Sequence, residues 1–386
     1  MRILQICAAY KPAFIYGGPT MSVSMLSENL AVAGVETEVY TTTANGKQEL
    51  DVPIGTPVEV DGVTVTYFKR QTTDHSHYSP QLFKKLKKDV KNFDLVHVHT
   101  WWNLVSLISC AIAQNRGVPV ILSPRGTLSP YSFQNGSVGI KWFIHRLFGK
   151  RMLEKCFIHV TSERERNAMA ALFHPKSISV LSNFVKLPVR KTFPFREISD
   201  PLRIIFFSRI EEKKGLDLLI RALPFLKKRC LVTVAGHGDD TYVGQLKGLA
   251  SELGVGGHIT WSGFLYDDKF DVLQANDLFV LPSYDENFGN SVIESLSVGT
   301  PVLLSEHVGL IDYVAKNKLG WGCKTEVAAI AETINAIVSD RQAELKNIRA
   351  IAPDIIYHDF NVSNLTKKYI DLYKSTISTK LSGSRS

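Results

Sequence analysis

Two glutamates, Glu286 and Glu294, stand eight positions apart in the stretch PSYDENFGNSVIESLSVGTPV. If a helix begins near Gly289, Asn290 and Glu294 lie one turn apart on one face of it, while Glu286 stays in the preceding loop. Carboxylate acceptors beside the free amides of a helix start suit the hydroxyl groups of a sugar, and Glu294 could accept from both hydroxyls of a ribose. The alternative is a capping carboxylate and a surface glutamate at chance spacing.

A second cluster carries positive charge. In LRIIFFSRIEEKKGLDLLIRAL, Arg209 follows a strand-like run and Lys214-Gly215 precede an amphipathic helix. Two cations and a helix start around one point can hold a diphosphate without a metal, although both residues could also be ordinary surface charges. VAGHGDD adds Gly236 and Gly238 after the next strand, where backbone can approach a phosphate or ribose. The six-residue glycine fingerprint of dinucleotide dehydrogenases is absent, which argues against a nicotinamide cofactor.

Strand-like apolar runs alternate with helix-period segments along the whole chain and would position these residues. The first half contains RILQICAAY, TEVYTTT, VTVTYFK, LVHVH and PVILSP, and the second contains LRIIFFSR, CLVTVAG, HITWSG, LFVLPS and PVLLS. Such alternation predicts an α/β fold with parallel sheets and helices on both faces. Two series joined near residues 185–203 predict two doubly wound, Rossmann-like domains, with a ligand in the cleft between them.

The composition is that of a globular protein: 386 residues, 45% of them hydrophobic, with a mean hydropathy of 0.00. This length allows two domains, each with its own core. The amino terminus lacks a basic segment followed by a long apolar run, and no stretch approaches the roughly 18 apolar residues of a spanning helix, so we expect a cytoplasmic protein. Five scattered cysteines without C-x-x-C spacing support neither a zinc site nor disulfides.

The net charge of +8 lies in the first half of the chain. Residues 1–190 hold 22 Lys and Arg against 13 Asp and Glu (+9), and residues 191–386 hold 23 against 24 (−1). SPQLFKKLKKDVKNF and GIKWFIHRLFGKRMLEKCF combine lysine or arginine with an apolar, partly aromatic stripe, which suits an anionic membrane surface. The alternative is a core-facing stripe with solvated lysines. No nucleic-acid recognition motif accompanies the charge.

ENFGNSVIESLSVGTPV resembles the E-x-F-G-x-x-x-x-E signature of family 4 glycosyltransferases, a retaining group with the two-domain GT-B fold. Further similar segments are YGGPTMSVSMLSENLAVAG, FDLVHVHTWWN, VPVILSPRGTLSP, HVTSERERNAM, SRIEEKKGLDLLIRAL and VAGHGDD. The resemblance implies an acceptor-binding domain at 1–185 and a nucleotide-sugar-binding domain at 186–355. It also implies a helix at 356–378 that returns to the first domain, followed by a disordered tail at 379–386.

The resemblance assigns roles to the charged residues. Arg209 and Lys214 would contact the diphosphate of the donor and neutralise the leaving group. Glu286 would approach the transferred sugar, and Glu294 would hold the nucleotide ribose. The implied donor is a UDP- or GDP-linked sugar, with no metal and no other cofactor.

Backbone groups complete the implied donor site. Amides around Phe288, Gly289 and Asn290 would meet sugar hydroxyls or the distal phosphate. The Gly17-Gly18 loop would face the diphosphate from the other domain.

The chain departs from the family at one position. Many members carry a histidine where ILSPRGTLSP has Arg125, and a subgroup of bacterial surface-polysaccharide enzymes shares the S-P-R-G form. His99, at the end of LVHVH, is the candidate replacement for polar contacts at the sugar, with His97 expected on the other face of that strand. The alternative for His99 is a hydrogen-bonded histidine at a strand end.

The function expected from this resemblance is transfer of a hexose-type sugar to a saccharide or lipid-linked acceptor in bacterial surface polysaccharide biosynthesis. The enzyme would be peripheral at the inner face of the plasma membrane. Two alternatives remain open. One is a nucleotide-sugar epimerase of the same fold, and the other is a catalytically silent relative that only binds a sugar nucleotide.

Overall fold

The computed structural model describes residues 1–129, 131, 149–189, 197–265 and 268–383, with the side chains of the last three residues left undescribed. The chain divides into two compact units. Unit 1 comprises Met1–Phe184 and Val362–Ser386, and unit 2 comprises Val185–Asn361.

Unit 1 is built on an eight-stranded sheet with the strand order β10-β9-β8-β7-β1-β2-β6-β5, and β3 and β4 form a separate hairpin. Its strands are β1 (Arg2–Ile6), β2 (Glu36–Thr42), β3 (Ala44–Asn45), β4 (Gln48–Glu49), β5 (Pro57–Val60), β6 (Val63–Phe68), β7 (Leu95–His99), β8 (Val120–Ser123), β9 (Phe157–Val160) and β10 (Ser177–Val180). Its described helices are α1 (Gly18–Val32), α2 (Pro80–Asp89), α3 (Leu104–Asn115), α4 (Lys150–Glu154), α5 (Glu163–Leu172) and the C-terminal helix (Val362–Gly383).

All neighbouring strands of this sheet run parallel except β5, which pairs antiparallel with β6 at the edge. Strands β7, β8 and β9 are buried along their whole length, as expected for a parallel sheet covered on both faces. The C-terminal helix packs on this unit through Leu365, Tyr369 and Tyr373, whose neighbours in the core include Ile3 and Phe184. The last helix of the chain is therefore part of the first unit.

Unit 2 contains a six-stranded, all-parallel sheet with the order β13-β12-β11-β14-β15-β16. Its strands are β11 (Leu202–Phe207), β12 (Cys230–Ala235), β13 (Ile259–Gly263), β14 (Leu278–Leu281), β15 (Val302–Ser305) and β16 (Gly320–Cys323). Its described helices are Leu216–Ala222, Asp240–Glu252, Lys269–Gln274, Asn290–Ser297, Ile311–Asn317, Val327–Asp340 and Gln342–Asp359.

The strand order of unit 2 reverses direction between β11 and β14. The chain first adds β12 and β13 on one side of β11 and then adds β14, β15 and β16 on the other. In a doubly wound sheet, the crevice outside the carboxyl ends of the two strands at this point is where ligands bind. The segments that follow β11 and β14 are the ones that carry Arg209, Lys214 and Glu286.

Two boundaries differ from those expected from the sequence. The expected C-terminal segment began at residue 356, whereas the helix Gln342–Asp359 runs through that position and the division falls between residues 361 and 362. The tail expected to be disordered from residue 379 is helical through Gly383. The last helix therefore continues beyond the end at residue 378 that the resemblance implied.

The lysine-rich segment 79–93 forms α2 and a following 3₁₀ turn. Its apolar stripe, made of Leu82, Phe83, Leu86, Val90 and Phe93, is buried in the core of unit 1. This stripe is therefore unavailable for insertion into a membrane, and the exposed lysines beside it are what remains of the expected basic surface.

Most of the second basic segment, residues 139–148, lies outside the described residues. Among the helices that the structure describes, none is long and apolar enough to cross a membrane.

Candidate functional site

Glycine allows the loops after β11 and β14 to meet. Gly215 adopts a left-handed backbone conformation (φ = +70°), and a Cβ atom there would lie 2.1 Å from the carbonyl oxygen of Pro282. Any larger residue would push the two loops apart, because the obstructing atom belongs to the backbone. The contact fixes Lys214, the neighbour of Gly215, beside the loop that carries Glu286.

Lys214 and Glu286 form a hydrogen-bonded ion pair. Both are shielded from solvent, with side-chain exposures of 8% and 18%. Burial by itself raises the pKa of Glu286, but the positive charge and hydrogen bond of Lys214 outweigh it, and the pKa lies below its usual value. The Glu286 backbone is also fixed, since its N–H donates to the carbonyl of His307 and its carbonyl accepts from the N–H of Gly309.

Two further cations lie near this pair. The Arg209 guanidinium is exposed and contacts Glu211, with 2.6 Å between Nη1 and Oε1. Burial lowers the pKa of Lys213, and the charges of Lys214 and Arg209 add to that effect. The structure therefore brings Arg209, Lys214 and Glu286 together on one side of the unit 2 sheet.

Packing gives a reason for glycine at positions 236 and 238, in addition to the expected approach of the backbone to a phosphate or ribose. A Cβ atom at Gly236 would lie 1.8 Å from the carbonyl oxygen of Ser208, and one at Gly238 would lie 2.1 Å from that of Ile210. Both glycines let the chain after β12 pack against the segment that carries Arg209. The segment 236–238 thereby supports the residue expected to contact phosphate.

The helix expected near Gly289 begins at Asn290, with Gly289 as its N-cap in a left-handed conformation (φ = +94°). Phe288 does not present its side chain to a ligand, because it is 2% exposed and its ring packs edge-on against Phe360, 6.3 Å between centroids. At this position only the backbone can serve a ligand, and the predicted use of its amide stays a prediction. Asn290 and Glu294 occupy the same helix face, as the spacing requires.

Glu294 has a partner that the sequence did not indicate. Its Oε1 atom accepts a hydrogen bond from the Lys269 ammonium at 2.6 Å. The pair is mostly buried, with exposures of 20% for Lys269 and 13% for Glu294. Lys269 begins a short helix, Lys269–Gln274, and also lies 4.8 Å from the centroid of the Phe270 ring. No local sequence signal connects two residues 25 positions apart on different helices.

In unit 1, Gly17 and Gly18 follow β1 through a 3₁₀ turn at Phe14–Tyr16. Gly17 has a φ of +64° and is the N-cap of α1, which begins at Gly18. The loop thus ends at a helix N-terminus after the central strand of the sheet. Its expected contact with a diphosphate stays a prediction.

His99 and Arg125 lie together in unit 1, but His99 offers no ring nitrogen to a ligand. The histidine is 1% exposed, its Nδ1 accepts from Arg125 Nε at 3.2 Å, and its Nε2 bonds to Gln5 Oε1 at 2.8 Å. Burial lowers the pKa of His99 well below its usual value, and neighbouring His97 and Arg125 add to this. The geometry supports the alternative of a hydrogen-bonded histidine at a strand end.

The expectation that His97 points away from His99 was wrong. Residues two apart on a strand share a face, and the two imidazole centroids lie 4.2 Å apart. His97 is fully buried and bonds to Tyr373 and Ser123.

All five cysteines are free. Within the described ranges, no group of three or more His, Cys, Asp or Glu side chains could hold a metal ion.

Two family models match the chain. "Glycosyltransferase Family 4" matches residues 16–187, and "Glycosyl transferases group 1" matches residues 190–353. Together they cover most of both units, and both units have the doubly wound, mainly parallel sheets described above. The chain belongs to the family 4-like glycosyltransferases with the GT-B fold.

Relatives and solved structures agree with this family. An uncharacterized glycosyltransferase of Methanocaldococcus jannaschii is 24% identical and matches 97% of this chain and 98% of its own. The glycogen synthase of Mycobacterium tuberculosis is 26% identical over 91% of this chain and 89% of its own. Anabaena HepE, solved in complex with UDP and glucose, has a TM-score of 0.74 and 18% identity over 97% of this chain and all of its own.

Proposed function

We propose that this glycosyltransferase transfers a hexose-type sugar from a UDP- or GDP-linked donor to a saccharide acceptor with retention of configuration, without a metal. The observation that carries the proposal is the group of Arg209, Lys214 and Glu286 after β11 and β14, where a doubly wound sheet binds its ligand. Structures of HepE with UDP and with UDP-glucose support a nucleotide sugar as the donor class.

In the proposed reaction, the bond between the anomeric carbon and the diphosphate oxygen breaks, and the diphosphate keeps the electron pair. Arg209 and Lys214 stabilise the negative charge that grows on this leaving group. The acceptor oxygen forms the new bond on the same face of the sugar, and its proton goes to the leaving phosphate. Glu286 stabilises the positive charge that develops on the sugar ring, and Glu294 holds the ribose of the donor.

A panel of nucleotides tests the donor class. UDP, GDP, ADP and their glucose conjugates are added to the protein, and the melting temperature is measured, because a ligand that binds only the folded state raises it. We expect one nucleotide to raise the melting temperature of the wild type and of the surface control Glu332→Gln. The increase should be smaller for Glu294→Gln. No response to any member of the panel would contradict the proposed donor.

The product distinguishes transfer from the two alternatives. An epimerase would convert the sugar of the nucleotide conjugate without releasing the nucleotide. A silent relative would bind the conjugate and leave it unchanged. We expect slow hydrolysis of the bound conjugate, with free nucleoside diphosphate as the product, since water can replace the acceptor. Retention is then checked by NMR of the newly formed anomeric centre once an acceptor is found.

A lipid-linked acceptor in bacterial surface polysaccharide biosynthesis, at the inner face of the plasma membrane, is the specific role we propose. It is supported by the excess positive charge of residues 1–190 and by exposed lysines on α2, such as Lys84, Lys87 and Lys88. Each basic residue near an anionic surface contributes about 1 kcal/mol to membrane binding. Flotation with anionic vesicles should therefore exceed flotation with neutral vesicles and should decrease with salt. Equal flotation would contradict the membrane part of the proposal.

A further inference from the structure

A continuous network of polar side chains lies inside unit 1. It joins strands β1, β7, β8 and β9, the segment after β8 and the C-terminal helix. Its members are Gln5, His97, His99, Ser123, Arg125, His159 and Tyr373, and apart from Arg125 each of them is at most 1% exposed. Buried polar groups require hydrogen-bond partners, so the direction of each bond can be worked out from the one group whose role is fixed.

That group is Arg125, because a guanidinium can donate hydrogen bonds but never accept them. Its Nε donates to Nδ1 of His99, so the proton of His99 must be on Nε2. His99 Nε2 then donates to the amide oxygen of Gln5 at 2.8 Å. This contact orients the Gln5 amide, whose nitrogen donates to the Tyr373 hydroxyl at 3.1 Å.

The same direction continues beyond Tyr373. Since its hydroxyl oxygen accepts from Gln5, its proton is donated to Nδ1 of His97 at 2.8 Å. His97 therefore carries its proton on Nε2 and donates to the Ser123 hydroxyl at 2.7 Å. Ser123 in turn donates to Nδ1 of His159 at 2.6 Å. His159 Nε2 donates to the carbonyl of Leu181 at 3.0 Å, where the chain ends at a pure acceptor.

Seven hydrogen bonds in a row thus share one direction, from Arg125 to Leu181. In this arrangement every histidine is neutral with its proton on Nε2, and protonation of any one would break a bond. Burial lowers the pKa of His97 and His99 well below the usual range and that of His159 to about 3, which agrees with this assignment. The chain fixes the Nε side of the Arg125 guanidinium without supplying a negative charge.

Arg125 forms no salt bridge with the residues that the structure describes, although the Glu165 carboxylate lies close enough to interact with its charge. Apart from His99, its hydrogen-bond partner there is the neutral Asn183, with 2.9 Å between Nη1 and Oδ1. The carboxylate of Glu165 bonds instead to the N–H groups of Gly126 and Thr161. The Nη2 atom of Arg125 makes no hydrogen bond within the described part of the chain. The Arg125 backbone is also held in the left-handed region (φ = +52°), which is uncommon for a residue other than glycine.

We propose that Arg125 binds an anionic oxygen of the substrate, from a phosphate or a carboxylate, and that Gln5 and Tyr373 are positioning residues that hold its guanidinium through His99. A shielded cation without a salt bridge is costly unless a ligand supplies the anion. The N–H groups of Nη2 remain available to donate to an anionic oxygen. This inference rests on the proposed function for the identity of the substrate, but its test does not require transfer activity.

Two tyrosines on the C-terminal helix provide a matched pair of variants. Tyr373→Phe removes the hydroxyl that joins Gln5 to His97 and interrupts the chain. Tyr369 is also buried, one helical turn away, but its hydroxyl donates to the carbonyl of Ser182 and meets the chain only at its last member, His159 Nε2, at 3.1 Å. It therefore takes part in none of the bonds between Arg125 and His97. Tyr369→Phe therefore controls for the loss of a buried hydroxyl. Arg125→Gln removes the charge, and circular dichroism checks that each variant is folded.

The readout is NMR of the histidine ring nitrogens in protein labelled with ¹⁵N-histidine. We expect His97, His99 and His159 to be neutral with the proton on Nε2. Titration with inorganic phosphate should shift the His99 ring resonances in the wild type and in Tyr369→Phe. The shift should be absent in Arg125→Gln, and Tyr373→Phe should bind phosphate on the order of tenfold more weakly. Absence of the shift in the wild type, or equal binding by Tyr373→Phe and Tyr369→Phe, would overturn the proposal.

Further titrations identify the source of the anion. If the donor supplies it, UDP shifts His99 as phosphate does, and Arg125→Gln weakens UDP binding. If the acceptor supplies it, phosphate and glucuronate shift His99 while UDP leaves it unchanged. Failure of the proposed function would look different, because the wild type would then bind no nucleotide in calorimetry whatever its response to phosphate.

Discussion

The cations of the candidate site residues are held in opposite ways in the two units. In unit 2, Lys214 and Lys269 are each paired with a glutamate, and both pairs are largely shielded from water. In unit 1, Arg125 is held by the neutral side chains of His99 and Asn183. A paired cation is oriented by its carboxylate but partly neutralised by it, whereas a cation held by neutral groups keeps its full charge for a ligand.

This difference predicts different responses to changes in the molecule. An anion that binds at Lys214 must share it with Glu286, so both members of the pair take part in binding and in the reaction. An anion at Arg125 would displace no salt bridge among the described residues. In unit 1 the orientation instead depends on histidines that must stay neutral, so acid should disturb unit 1 before it disturbs the carboxylates of unit 2.

The largest expected effect is therefore on stability at mildly acidic pH. The unfolded chain binds protons on its histidines below pH 6.5, while His77, His97, His99 and His159 in the folded unit stay neutral to lower pH. The free energy of unfolding should fall as the pH falls below 6.5. Its slope should approach about 1.4 kcal/mol per pH unit for each histidine, or about 5.5 for the four. Urea denaturation between pH 7.5 and 5 measures it.

Two histidine variants sharpen this measurement. His159→Gln should reduce the slope by about a quarter, since one of the four histidines is removed. His358→Gln should leave it unchanged, because that side chain is 84% exposed. Glu286 does not change the slope of the free energy of unfolding in this range. Its pKa is lowered, so its stabilising contribution is lost only as the pH falls below 4.5. A flat free energy of unfolding from pH 6.5 to 5 would contradict the neutral network.

The second prediction tests the paired cation of unit 2. Lys214→Ala should lower turnover. The expected loss of transition-state stabilisation is on the order of 2 to 4 kcal/mol, as for the loss of one preorganised donor. Arg209→Ala should behave alike. Lys247→Ala is the control, since this lysine lies over the ring of Trp261 rather than beside Glu286. Release of nucleoside diphosphate measures the rate, and unchanged turnover in both Lys214→Ala and Arg209→Ala would remove them from the site.

The third prediction separates the roles of Glu286 and Glu294, the two glutamates that form ion pairs with lysines in unit 2. Glu286→Gln should lower turnover strongly while nucleotide affinity changes little, because its charge stabilises the transition state more than the ground state. Glu294→Gln should raise the KM for the donor and weaken nucleotide binding, with a smaller effect on turnover. Steady-state kinetics and calorimetry with the free nucleotide distinguish them. The opposite pattern would mean that the assigned roles are reversed.

The sequence predicted the frame of the unit 2 site well because its signals are local. Alternating apolar runs indicated parallel sheets, and the ends of parallel strands meet at one edge. Arg209, Lys214 and Glu286 each follow a strand directly, so their approach could be expected. The helix start at Gly289 and the charged face of that helix could also be predicted from neighbouring residues.

The polar network of unit 1 could not be predicted in the same way. It combines side chains from four strands and the C-terminal helix, and the strands are otherwise mostly apolar, as RILQI is around Gln5. A signal was present in the polar residues at buried strand positions and in Tyr369 and Tyr373, which are four apart on one helix face. Which of them bond to one another depends on strand order and register, and these are tertiary features.

The smallest expected effect concerns Lys269, which the sequence also missed. By holding Oε1 of Glu294, this lysine fixes the carboxylate and leaves its other oxygen for the ribose. Lys269→Met should raise the dissociation constant for the nucleotide about two- to fivefold, the equivalent of a partly exposed ion pair. Lys247→Met is the control, because Lys247 also lies over an aromatic ring, Trp261, but on another helix.

A double-mutant cycle decides whether Lys269 acts through Glu294. If it does, Lys269→Met should weaken nucleotide binding no further once Glu294→Gln is present, because the neutral amide is no longer held by the charge of the lysine. Lys269 would then act as Glu286 and Lys214 do, as one half of a pair. If the two losses add in full, Lys269 contacts the nucleotide itself. Unit 2 would then also contain a cation that meets its ligand directly, as proposed for Arg125. The contrast between the units would be weaker than their side-chain contacts indicate.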